Sequence, residues 1–205
     1  KKYLVIGNPI EHSLSPKLHN HWIKENKINA IYDKKQLNES DIEKIIFEVK
    51  NGKIDGINVT VPFKKSIIPY LDQLTSSAEE AQSVNTIFKK DSKIVGDNTD
   101  IGGFEHALKH INYNVKDKKI FILGAGGVVS SILVALRKLG SVKITLSNRT
   151  RKKAEELKKI FPDLEIINWG ETPDFNMIIN ATSLGLKTSD KIKFNYASVE
   201  PNKLF

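Results

Sequence analysis

Cysteine is missing from this chain, which excludes disulfides and thiolate metal sites and fits a reducing compartment. No run of about 18 apolar residues occurs, and no basic-apolar leader opens the sequence. The expectation is therefore a soluble, cytoplasmic protein without a membrane partner. Histidine is scarce: His12, His19, His21, His106 and His110 show no ligand spacing supported by carboxylates, so no metal is expected. Arginine is scarcer still. Only Arg137, Arg149 and Arg151 occur, and two of them sit together. Internal repeats and low-complexity segments are absent too. What is present is lysine, enough to bring the formal net charge to +8. Those lysines are scattered, without the aromatic interleaving or concentrated stripe of nucleic-acid binders, so no nucleic-acid partner is expected. A small anionic ligand or cofactor needs only a few of them. At 205 residues the chain can form one large domain or two smaller ones with real cores.

The stretch 55–64, DGINVTVPFK, organises the first half. Asp55-Gly56 signals a turn, after which Ile57, Val59 and Val61 alternate with Asn58 and Thr60. That period predicts a strand with Asn58 and Thr60 on one face. Pro62 cannot donate to a ladder, so pairing should stop there. Phe63 and Lys64 follow as the chain turns towards 67–74, where a short helix is expected. Alone, Lys64 reads as one more solvated surface lysine.

Around this strand, 3–6 and 31–37 read as strands. Ser15-Pro16 reads as a helix start, with Ser15 as N-cap and Pro16 at the first helical position. Capping leaves Ser13 unexplained. Two hydroxyls beside the N–H groups of a helix start can cradle a carboxylate or a phosphate. A helix over 40–50 is expected to be capped by Ser40, with Glu43 closing a capping box. A short helix over 77–83 and strands at 84–88 and 94–96 complete an α/β pattern. Asn85 sits at a strand start, where an ordinary turn residue is the alternative. Asp100 precedes a helix over 101–110 that it could simply cap.

The second half begins with a strand over 119–123, the turn Gly124-Ala125-Gly126-Gly127, a helix over 128–139 and a strand over 142–146. Glycines between strand and helix let the backbone approach a pyrophosphate at the helix N-terminus. Val129 occupies the third glycine position of the usual fingerprint, so helix–strand packing should differ slightly. Where an NAD site carries an acidic residue, roughly 20 residues beyond the glycines, this chain has Ser147-Asn148-Arg149. No carboxylate repels a 2′-phosphate there, and Arg149 offers a planar fork for one, which points to NADP. Thr150 reads as N-cap of a helix over 151–161. A buried strand over 176–179 leads into Thr182 and Ser183, small polar residues placed to line the nicotinamide side. Beyond 187 the pattern is harder to read, with a further strand expected to start within 201–205.

In order, GNPIEHSLSP, NVTVPFK, SVNT, GDNTD, GAGG, NRT and NATSLG resemble the shikimate dehydrogenase family over essentially the whole chain. The resemblance implies an N-terminal α/β substrate domain over 1–100. A Rossmann-like doubly wound dinucleotide-binding domain over 101–205 would follow, as monomer or homodimer. It implies reduction of 3-dehydroshikimate to shikimate with NADPH, in aromatic amino-acid biosynthesis. Ser13 and Ser15 would bind the substrate carboxylate, with Asn58 and Thr60 nearby. Asn85 and Asp100 would hold ring hydroxyls, and Lys64 with Asp100 would form the catalytic pair. Gly124, Ala125, Gly126, Gly127 and Val128, with Asn148, Arg149 and Thr150, would bind NADP. Lys153 stands where the family has arginine, keeping the charge without the fork, with Arg151 available to compensate.

The family also continues beyond the position of Phe205, with a tyrosine-containing strand, a glycine-rich nicotinamide segment and a helix that supplies a glutamine to the substrate. A chain without these is expected to leave an apolar patch on the first domain and to be inactive alone. Reducing a ring ketone needs a hydride donor and a proton donor at the oxygen. An alkylammonium is a good acid at neutral pH, so Lys64 is expected to protonate the oxygen while Asp100 orients it. Alternatives are a quinate/shikimate dehydrogenase using NAD and a non-catalytic sensor of nucleotide and anionic ligand. A basic nucleic-acid module would instead bind with steep salt dependence.

Overall fold

Strand β3, Gly56–Val59, lies inside a six-stranded sheet because both of its neighbours find its backbone free on either edge. It pairs parallel with β1, Lys2–Gly7, and antiparallel with β5, Thr86–Lys90. The computed structural model describes residues 1–141, 143–185, 190 and 203–204. Its contacts divide the chain into two units, Lys1–Asp100 and Ile101–Phe205.

In the first unit the sheet order is β2-β1-β3-β5-β6-β4, with β2 at Ile31–Gln36, β4 at Gln73–Leu74 and β6 at Lys93–Asp97. The alternation of β3 sorts its side chains as read. Ile57 and Val59 enter a core with Leu4, Ile6, Ile87 and Ile94, closed by Ile42, Ile45, Ile46 and Val49 of helix α2, Ile42–Lys50. On the opposite face Val5 and Tyr32 pack with Ile10 and Ile23, the last from helix α1, Ser15–Glu25. Helix α3 spans Ser76–Ala81 with the Thr75 hydroxyl accepting from the Ala78 N–H, and helix α4, Asp100–His110, begins on the last residue of this unit and belongs otherwise to the second.

Three local expectations shift. No helix forms over 67–74; a single 3-10 turn, Ile68–Tyr70, gives way to β4. Pro69 removes an N–H and restrains its predecessor. Asp72 then accepts a 2.7 Å bond from the Ile94 N–H and draws the chain into the sheet beside β6. Ser40 does not cap α2. A capping box forms earlier, between Asn38 and Asp41, around a 3-10 turn at Glu39–Asp41, because Asn38 and Asp41 already have the box spacing. Nor does Ser15 cap α1. It is the first helical residue, and Leu14 holds the cap position without a side-chain bond.

The second unit is a parallel sheet, order β10-β7-β8-β9. The strands are β7 at Lys119–Leu123, β8 at Lys143–Ser147, β9 at Glu165–Ile167 and β10 at Met177–Asn180. Helix α5, Val129–Lys138, connects β7 to β8, and α6, Arg151–Ile160, connects β8 to β9. This is the doubly wound arrangement, and the order reverses between β7 and β10. Val129 starts α5 fully buried, as the seven residues after it nearly are. β9 escaped the sequence reading because three residues give too short a run for a period. Of the strand expected within 201–205, only Lys203 and Leu204 are described, and Leu204 makes one parallel bridge to Met177. Val142 and the remaining 201–205 residues lie outside the described residues. Among the described residues no helix is long and apolar enough to cross a membrane.

Ile57, 2% exposed, carries the core side of β3. Ile57→Ala should cost about 2–5 kcal/mol, read as a lower urea midpoint at unchanged slope. A loss below about 1 kcal/mol would show that β3 is not central to this core.

Candidate active site

Topology gathers the first unit's polar residues at one sheet edge. Parallel strands β1 and β3 end there, leading to Ser13 and to Thr60 and Lys64 respectively. β5 runs oppositely, so Asn85, just before its start, falls at the same edge. β6 reverses again and delivers Asn98, Thr99 and Asp100. β3 pairs one step past its regular end, since the Thr60 N–H donates to the Ile6 carbonyl at 2.9 Å and Val61 accepts from the Asn8 N–H at 3.0 Å.

Lys64 comes from a turn rather than from the strand itself. Phe63 is buried in the core, its N–H bonded to the Thr60 carbonyl, and the Lys64 carbonyl accepts from the Val84 N–H at 2.8 Å. The ammonium is thereby aimed inward. Its Nζ donates to Asp100 Oδ2 at 2.5 Å, and the Lys64 side chain is only 12% exposed. That exposure ends the reading of a solvated surface lysine, because a buried ammonium requires its counter-charge. Asp100 does not cap α4; it is the first helical residue, and Asn98 Oδ1 accepts from its N–H at 3.1 Å. The carboxylate is therefore left for Lys64 and Asn85.

Asn85 is 9% exposed, and its amide is engaged on all sides. Nδ2 donates to Asp100 Oδ1 at 2.8 Å and to Thr99 Oγ1 at 2.9 Å, while Oδ1 accepts from the Thr99 N–H at 3.0 Å. A ring hydroxyl bound by this amide would have to displace Thr99 Oγ1. Asn58 is half-buried and points at Asn85: Nδ2 donates to its carbonyl at 3.3 Å and to Thr86 Oγ1 at 3.2 Å. Ser13 and Ser15 are joined to each other, the Ser13 hydroxyl accepting from the Ser15 N–H at 3.3 Å. Among the described residues, their side chains and that of Thr60 lie outside the bonded network around Lys64. Sequence reasoning passed over Thr86, Asn98 and Thr99, although all three sit inside the motifs it used, SVNT and GDNTD.

In the second unit, the carboxyl ends of β7, β8 and β10 share an edge because the strands are parallel. Gly124 adopts φ +106°, and a Cβ built on it would stand 2.7 Å from the Ala181 carbonyl oxygen. Only glycine fits this crossing of the two loops at the reversal of strand order, where doubly wound sheets bind nucleotides. The Gly124 N–H is taken by the Ser147 carbonyl at 2.8 Å and that of Ala125 by Asn148 Oδ1 at 3.1 Å. Asn148 thus braces the turn. Gly126, Gly127 and Val128 carry the chain into the α5 N-terminus, the positive end of its dipole. Thr182 and Ser183 follow β10, with the Thr182 hydroxyl bonded to Asn180 Oδ1 at 2.7 Å.

Arg149, Thr150 and Lys153 are exposed at the end of β8. Thr150 occupies the N-cap position of α6 without a side-chain cap bond. Arg151 is engaged otherwise, its Nε with Glu155 and its guanidinium with Asn168, each at 3.0 Å. The glycine-only crossing and the dipole fit a dinucleotide pyrophosphate, and the exposed Arg149 and Lys153 fit a 2′-phosphate. Among the described residues no group of three or more His, Cys, Asp or Glu could hold a metal.

The two halves match two family models: a shikimate dehydrogenase substrate binding domain over residues 5–87, and shikimate / quinate 5-dehydrogenase over 105–184. A shikimate dehydrogenase (NADP(+)) of Pelagibacter ubique is 62% identical over 205 residues, all of this chain and 77% of that protein. The chain belongs to the shikimate dehydrogenase family. The crystal structure of the Aquifex aeolicus shikimate dehydrogenase superimposes with a TM-score of 0.89 at 40% identity, over 99% of this chain and 76% of that one. The Thermus thermophilus enzyme, solved with NADP(H) and shikimate, gives 0.80 at 29% identity, over 90% and 69%. Family and fold class agree with what the motifs implied.

Gly124→Ala should weaken NADPH binding at least tenfold, through about 1–3 kcal/mol of strain and the clash with Ala181. Calorimetry with NADPH checks it; undiminished affinity would show that the turn does not shape the site.

Proposed function

We propose that this chain carries the substrate and cofactor sites of an enzyme that reduces 3-dehydroshikimate to shikimate with NADPH, a step of aromatic amino-acid biosynthesis. It is an NADP-dependent oxidoreductase of the shikimate dehydrogenase family. The observation that carries the mechanism is the Lys64–Asp100 pair, an ammonium 2.5 Å from a carboxylate whose other oxygen is held by Asn85.

When bound, NADPH supplies the hydride to the carbonyl carbon. The chain's own part is the proton. Lys64 Nζ gives one to the ketone oxygen as charge develops there, so an N–H bond breaks as the O–H bond forms. Asp100 holds the ammonium in place by its hydrogen bond and opposite charge. In the reverse direction the neutral amine accepts the hydroxyl proton. Ser13 and Ser15, at the start of α1, bind the substrate carboxylate. Asn58, Thr60 and Asn85 complete the substrate wall. Gly126, Gly127 and Val128 hold the pyrophosphate, Arg149 and Lys153 the 2′-phosphate, and Thr182 and Ser183 the nicotinamide side, with Gly124, Ala125, Asn148 and Thr150 shaping that site.

Lys64→Ala in the full-length protein should lower kcat by about 10²–10⁴, with KM for shikimate within several-fold. An unchanged kcat would remove Lys64 from the chemistry. Arg149→Gln should raise the Kd for NADPH about tenfold while leaving that for NADH nearly unchanged. Equal losses for both would place Arg149 away from the 2′-phosphate. Steady-state comparison of shikimate with quinate, using NADP, tests the substrate; turnover of quinate alone would overturn the reading.

A further inference from the structure

Hydrogen bonds run without a break from the edge strand β2 to the ammonium of Lys64. The Tyr32 hydroxyl donates to Asn58 Oδ1 at 2.7 Å, and Asn58 Nδ2 donates to Thr86 Oγ1 at 3.2 Å. The Thr86 hydroxyl donates to Asn85 Oδ1 at 3.0 Å, and Asn85 Nδ2 donates to Asp100 Oδ1 at 2.8 Å. Asp100 Oδ2 receives Lys64 Nζ. All of these residues belong to the first unit.

The direction of this chain is fixed by backbone groups that cannot reverse. The Thr99 N–H can only donate, so the atom of Asn85 it meets must be the oxygen. The Asn85 carbonyl can only accept, so the atom of Asn58 it meets must be the nitrogen. Between those two amides the Thr86 hydroxyl must accept from Asn58 and donate to Asn85. At the outer end, Tyr32 must donate. Burial pushes the Tyr32 phenol up, so it stays protonated and keeps that role at any working pH.

We propose that Tyr32 and Thr86 are positioning residues that hold the Asn58 and Asn85 amides in place, in the polarity their backbone partners set, and, through Asn85, hold Asp100 as acceptor of the Lys64 ammonium. Neither touches the reacting pair. The inward bonds of Asn58 are long, at 3.3 and 3.2 Å, whereas the Tyr32 bond at 2.7 Å is strong enough to anchor the amide. Tyr32 is itself clamped. Asn20 of α1 binds its backbone N–H at 2.9 Å and its carbonyl at 2.7 Å, and the His19 ring stacks on the phenol at 4.2 Å. The ring also packs with Val5 and Ile10, so it is held by apolar contact as well as by these bonds.

The inference rests on the acid role of Lys64. The test is steady-state kinetics of Tyr32→Phe, Thr86→Val, their double variant and Thr86→Ser, with Lys64→Ala alongside. Each single loss should lower kcat about tenfold with KM for shikimate within threefold. Thr86→Ser keeps the hydroxyl and should restore most of kcat. Because both residues act on one chain of bonds, the double variant should fall little below the worse single one. Losses that multiply, a kcat within twofold of the parent, or a rise in KM alone would overturn the proposal. Thr86→Ala carries the test should Thr86→Val not fold. An inactive Lys64→Ala beside a fully active Thr86→Val sinks the positioning role alone; an active Lys64→Ala sinks the acid role itself.

Discussion

A single ion pair sets the terms for the first unit. An ammonium taken largely out of water needs a carboxylate at contact distance, and that carboxylate needs its own orientation. Asp100 meets both needs: its own N–H is accepted by Asn98 Oδ1, and its carboxylate faces the ammonium. Asn85 then takes the second oxygen. The mixed sheet is what allows this: two reversals, at β5 and β6, return the chain to the edge where β3 ended. A purely parallel sheet would need a long crossover for each visit.

Most strands were legible, β3 from its alternation and β7 from its unbroken apolar run, while β4 and β9 were too short to show either. Helix starts were less so. Ser15 and Ser40 have good capping chemistry, yet Ser13 and Asn38 lie nearby with equal claims, and local sequence does not rank such neighbours. The 67–74 segment failed for a clearer reason. Its apolar content suggested a helix, and Pro69 with the Asp72 bond to β6 decided otherwise.

For the site, the motifs carried the residue types but not their bonds. Lys64, Asn85 and Asp100 were read as neighbours, and the structure joins them directly. Tyr32 gave no signal. It lies in a polar strand, Ile31–Gln36, and its importance depends on reaching across β1, which only the strand order reveals. The cofactor half divides likewise. Glycine at 124 was expected on general grounds, while its reason, the Ala181 carbonyl behind it, comes from the loop after β10, more than fifty residues away in sequence. Arg151, adjacent to Arg149 in sequence, bonds Glu155 and Asn168, partners that its motif did not announce.

The His19–Tyr32 stack has a neighbour. Trp22 meets the His19 ring edge-on at 5.5 Å and is about half exposed. The other tryptophan, Trp169, follows Asn168, the residue that Arg151 grips in the second unit. Each unit therefore contains its own indole, one against the histidine that stacks on Tyr32 and one beside Asn168. Tryptophan fluorescence of this chain is thus a sum of two spatially assigned reporters, and replacing either indole leaves an optical readout of the opposite half.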